Sequence, residues 1–147
     1  MTAKEYLNRI RFISVGLRVK DQELQQLESD LYTIHSVDTS RERIDGGIPV
    51  SMADKVARIR DMQIVINKEW DQLLDLRKEA RERIMQMEDG RFRAVLTERY
   101  LNNKRWEQIA VDMNYTYRSV IRIHGEALKQ FAVQFKDVLE CPYLDVI

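Results

Sequence analysis

Apolar side chains recur every three or four residues from residue 3 to residue 34, and this spacing constrains the chain more than any other feature. One set is Ala3, Ile10, Leu17, Leu24 and Leu31; a second is Tyr6, Ile13, Leu27 and Ile34, interrupted by Lys20. A 3-4 repeat sustained over more than four heptads keeps one stripe of a helix turned toward a partner helix. Ahead of it, Thr2-x-x-Glu5 is a capping-box pattern: the hydroxyl can accept from a backbone N–H near Glu5 while the carboxylate reaches back. Gly16 weakens this helix by about 1 kcal/mol against alanine without ending it.

Residues 36–50, SVDTSRERIDGGIPV, break the repeat with polar residues, a Gly pair and a proline, which predicts a loop. Ser51-x-x-Asp54 then opens a second helix. Its stripe runs through Met52, Val56, Ile59, Ile66, Trp70, Leu73, Ala80, Ile84 and Met87, with Gln63 and Arg77 as polar interruptions. Met62, Val65 and Leu76 lie beside the stripe and widen it. Two long helices joined by one loop fold back most simply as an antiparallel, coiled-coil-like hairpin over residues 1–88. The widened face could bury against a second copy, so a homodimer is expected.

Asp89-Gly90 reads as the end of the second helix, glycine suiting the position just past a helix terminus. Over residues 89–136 the pattern changes. Phe92, Val95, Leu96, Tyr100 and Leu101 make one apolar face, and Asn102-Asn103 makes a turn. Trp106, Ile109, Ala110 and Met113 make the face of a short helix. Asn114 sits where the chain must turn, and Asn tolerates the left-handed backbone better than most residues. Thr116 suits the N-cap of a third helix, with Val120, Ile123, Ala127, Leu128 and Phe131 on its buried side. A small residue at Ala110, four positions before the turn, lets two crossing helices approach, as a helix-turn-helix requires.

Charge points the same way. The net charge of zero conceals nine Lys or Arg against four Asp or Glu in residues 90–136, leaving 15 against 20 elsewhere. That places a candidate nucleic-acid surface in the C-terminal part. Thr116, Tyr117, Arg118, Ser119 and Arg122 fall largely off the buried side of the third helix, where its N-terminal turns can enter a major groove. Lys104 and Arg105, just before the second short helix, are placed to meet the phosphate backbone.

Other classes find little support. With 44% apolar and 33% charged residues the chain suits a soluble helical protein, and its apolar runs fall short of the roughly 18 residues of a membrane span. The first residues, MTAKEYLNRIRF, hold no apolar signal core, so a cytoplasmic location is expected; the lone Cys141 fits a reducing compartment. His35 and His124 have no companions at metal-ligand spacing. No phosphate-binding glycine loop, HExxH or GxSxG occurs, so neither an enzyme nor a cofactor is expected. The Met and Trp residues of the stripes read as core.

The stretch RFRAVLTERYLNNKRWEQIAVDMNYTYRSVIRIHGEALKQF resembles the region 4 helix-turn-helix of bacterial sigma-70-type factors. The resemblance is carried by Arg99-Tyr100-Leu101, by WEQIA at 106–110, by Val120 and by Ala127-Leu128. More of the chain resembles small phage and prophage proteins of Gram-positive bacteria, through SMADKVA at 51–57, WEQIA and RIHGEAL at 122–128. Related phage proteins of the ArpU and RinA type are transcriptional regulators. Two positions depart from the sigma pattern: Asn114 replaces a turn glycine, and Arg105 stands where a Ser cap is usual, leaving the cap to another residue such as Asn103.

The resemblance implies a phage transcriptional regulator acting on promoter or operator DNA in the bacterial host. Nothing in residues 1–88 resembles the parts of a sigma factor that grip polymerase and melt DNA. The alternative is an interaction protein whose helix-turn-helix docks on polymerase or another phage factor; Glu98, Glu107, Asp112 and Glu126 motivate it, since acids sharing the exposed face would repel phosphate. Residues 137–147 read as a tail that packs back or meets a partner.

Overall fold

The computed structural model describes residues 1–35 and 52–140, with side-chain burial described to residue 31 in the first segment. Among the described residues all regular structure is helical, as the sequence predicts. Helix α1 spans Ala3–His35, α2 Met52–Met85, α3 Gly90–Leu96, α4 Trp106–Asp112, α5 Tyr117–Gln134 and α6 Lys136–Leu139; a π-helical turn, Thr97–Leu101, follows α3. The loop expected over residues 36–50, and Cys141 with the rest of the expected tail, lie outside the described residues.

The chain packs as two compact units, Val15–Gln72 and the combination of Met1–Ser14 with the chain from Leu73 onward. The packing division thus falls inside α1 and α2, whereas the division read from sequence falls at residue 88.

In the unit Val15–Gln72, Leu17, Leu24 and Ile66 are buried. Lys20, the polar break in the first stripe, ion-pairs with Glu69 at 2.6 Å, and Gln63, the break in the second, donates to Glu28 at 3.0 Å. Here the stripe expectation needs correction. Leu27, Met52 and Val56 of the stripes are exposed, as is Val65 beside the second stripe. An apolar period marks which side of a helix is hydrophobic, not how much of that side a neighbour covers.

In the other unit the capping box forms as expected: Thr2 N–H donates to Glu5 Oε2 at 2.6 Å, and Glu5 N–H to Thr2 Oγ1 at 3.2 Å. Ala3, Tyr6, Leu7 and Ile10 of α1 are buried, as are Leu73, Ala80 and Ile84 of α2. The Tyr6 ring stacks on Phe131 of α5 with centroids 6.1 Å apart, and Arg83 donates to its hydroxyl at 2.6 Å. Arg77, the second polar break, donates to the Leu101 carbonyl at 2.8 Å, which gives a charged residue on an apolar stripe a structural use.

Two further corrections concern boundaries. Asp89-Gly90 does not end α2, which stops at Met85; it begins α3. Asp89 is the N-cap, its carboxylate accepting from Arg91 N–H at 2.8 Å, and Gly90 is the first helical residue. An aspartate before an apolar run is as good a start signal as a glycine after one is a stop, and here the two overlap. The tail expected from residue 137 begins as the helical turn α6, whose Leu139 is buried.

Candidate functional site

The apolar pattern of residues 92–131 builds a small core. Val95 of α3, Ile109 and Ala110 of α4, and Val120 and Ile123 of α5 are buried together, with Phe92, Trp106 and Met113 packed against them. Ala110 faces this cluster as expected, and its single methyl group leaves room for α4 to lie against α5. Leu128, expected on the buried side, is only half-buried.

The connection between α4 and α5 is tight. Asn114 has φ 57°, the left-handed conformation expected of it, and Tyr115 N–H closes the turn on the Ala110 carbonyl at 3.0 Å. Thr116 is extended and is the N-cap of α5: its hydroxyl oxygen accepts from Ser119 N–H at 3.2 Å and lies 2.9 Å from Ser119 Oγ. Thr116→Ala is expected to lower stability by about 1 kcal/mol, and Thr116→Ser to restore most of it, in urea unfolding followed by circular dichroism.

The start of α4 departs from expectation. Arg105 occupies the N-cap position with an extended backbone and no side-chain cap, and Asn103 does not replace it. Asn103 is itself left-handed at φ 57°, ending the π-helical turn, and its Oδ1 is buried without a hydrogen-bond partner. Its role is to reverse the chain. Arg99 holds the junction instead, donating to the Lys104 carbonyl at 2.9 Å with its guanidinium 4.3 Å from the Trp106 ring centroid.

Sequence reasoning missed His124. Its ring is 8% exposed, its Nε2 lies 2.9 Å from the Tyr100 hydroxyl, and the Trp106 ring meets it edge-on at 4.7 Å. Burial, reinforced by the charges of Lys4 and Arg99, lowers its pKa to about 4, so the ring is neutral at pH 7. Burial likewise raises the Tyr100 phenol to about 12. The signal was available: residue 124 falls on the 120, 123, 127 and 131 side of α5.

The predicted site residues divide into two groups. Thr116, Tyr117, Arg118 and Arg122 are exposed around the first turns of α5, with Ser119 half-exposed among them. Among the described residues Arg118 makes no ion pair, and Arg122 reaches only Glu126, at 3.4 Å on the same helix. Beside them Tyr117 and Ile121 are 50% and 37% exposed. Arg105 is exposed and unpaired.

Lys104 behaves differently. Its ammonium sits 2.7 Å from Glu98 and 2.9 Å from Asp112, and these two carboxylates raise its pKa. It ties the π-helical turn to the end of α4, and the three side chains together carry a charge of −1.

Among the described residues no group of His, Cys, Asp or Glu could hold a metal ion, and no helix is long and apolar enough to cross a membrane. Set beside protein-family models, curated proteins and solved structures, the chain matches none of them.

Proposed function

We propose that α4, the turn at Asn114 and α5 form a DNA-reading helix-turn-helix, and that the protein regulates phage transcription from promoter or operator DNA in a bacterial cytoplasm. The sequence resemblance to sigma region 4 and to phage regulators supports this reading. One observation carries it furthest. Arg118 and Arg122 stand exposed, one turn apart, at the start of α5, while Val120 and Ile123 anchor the opposite side of that helix.

A helix held in this way presents guanidinium forks to base edges and phosphates without having to reorganise. Thr116, Tyr117 and Ser119 border the same surface. Arg105 takes the phosphate-contacting role, because Lys104 is already matched by two carboxylates. On this reading α1 and α2 form an antiparallel hairpin that supplies the self-association surface, and two copies read half-sites one helical turn, or a multiple of it, apart.

Arg118→Ala and Arg122→Ala are each expected to weaken binding to duplex DNA by about 1–3 kcal/mol. Helical circular dichroism and melting temperature should stay unchanged, since both side chains are exposed. Equal affinity in both variants would remove these residues from the interface.

A second reading rests on the Glu98–Lys104–Asp112 group and on Val111, which is 73% exposed beside it. An acidic, partly apolar surface next to α4 suits a basic protein partner such as a face of RNA polymerase better than it suits phosphate. Asp112→Ala should then weaken polymerase capture and leave DNA affinity unchanged or slightly raised.

A further inference from the structure

The outer side of α1 carries an apolar stripe that the other described residues leave uncovered. Phe12, Val15 and Val19 are 67%, 45% and 57% exposed, and their spacing of three and four residues puts them on one side of a single uninterrupted helix. Gly16 lies among them. A Cβ at this position would meet nothing within 4 Å, and the backbone there is not left-handed. A single chain therefore has no use for glycine at residue 16, although glycine costs a helix about 1 kcal/mol against alanine. Glycine does let another backbone approach closely.

We infer that the helix approaching it is α1 of a second copy, antiparallel, with the two-fold axis passing through Gly16. The charges select this arrangement. Arg9 lies seven residues before Gly16 and Glu23 seven after it, so both return to nearly the same side of the helix after two turns. Among the described residues neither the Arg9 nor the Glu23 side chain has an ion-pair or hydrogen-bond partner. An antiparallel pair centred on Gly16 sets Arg9 of each copy level with Glu23 of the other, and symmetry makes the contact twice. A parallel pair would set Arg9 against Arg9 and Glu23 against Glu23. The assignment gives a definite surface to the self-association proposed above and does not depend on DNA binding.

A single helix crossing is a small interface, below about 1,200 Å², so a dimer with micromolar affinity is expected. Sedimentation velocity without DNA should show it at tens of micromolar. Arg9→Glu should weaken association about tenfold, and Arg9→Glu combined with Glu23→Arg should restore it. In a Cys141→Ser background, Gly16→Cys should form an intermolecular disulfide on mild oxidation. Glu23→Cys should not, because residues 23 of the two copies would lie about 21 Å apart along the axis. A chain that stays monomeric at several hundred micromolar overturns both the inference and the self-association. A dimer that crosslinks through residue 23, or that ignores the charge exchange, overturns the inference alone.

Discussion

Phe131→Ala is expected to lower unfolding free energy by about 3–5 kcal/mol. The ring is fully buried, stacks on Tyr6 from the first turns of α1 and meets Phe135 with centroids 4.8 Å apart. Truncation therefore removes burial on α5 and a ring contact between α1 and that helix. Partial collapse of the neighbouring rings would bring the loss toward the lower end of the range. Urea unfolding followed by circular dichroism measures it, and a loss below about 1 kcal/mol would mean that this core is not packed as described. Phe131→Leu should retain more than half of the stability, since it leaves a smaller void.

Mild acid should have a comparable effect through His124. The ordinary imidazole value is 6.5 and burial lowers it to about 4 in the folded chain. Between those values the unfolded chain takes up a proton that the folded chain refuses. Stability is therefore complete above pH 6.5 and falls as the pH drops toward 4, by on the order of 3 kcal/mol. Glu5, Asp89 and Asp112 are all held below their ordinary range by hydrogen bonds, so their contributions are lost mainly at lower pH, beneath the His124 window. Replacing His124 by glutamine should flatten the pH dependence between 6.5 and 4.5 and make the protein less stable at pH 7. An unchanged slope in that variant would place the titration elsewhere.

Local signals were the most legible in the sequence. The Thr2–Glu5 capping box, the Asn114 turn and the Thr116 cap each depend on a few adjacent residues, and each is found where the residue types require it. Ala110 was readable because an apolar helix face with one small member implies a close neighbour. Signals that compete, or that act over longer separations, were harder to read. Asp89-Gly90 satisfies both a stop rule and a start rule, and only the packing of α3 decides between them.

Lys104 looked like a free cation because its carboxylates, Glu98 and Asp112, lie six residues before and eight after it, brought close by the turn at Asn103. His124 looked polar by type, yet its position on α5 was apolar. The stripes of α1 and α2 predicted helices correctly, yet Leu27, Met52 and Val56 on them are exposed, because periodicity reveals which side is apolar and not how much of it a neighbour covers.

If the surface around Arg118 and Arg122 meets nucleic acid, as proposed, binding to duplex DNA must depend on salt. Each phosphate neutralised should contribute about −0.9 to the slope of log K against log salt. The account predicts measurable binding at about 50 mM salt and a slope near −3 or steeper, as expected for about three or more phosphate contacts made by the bases around α5. No binding at that salt concentration, or binding that hardly changes as salt rises, would contradict it.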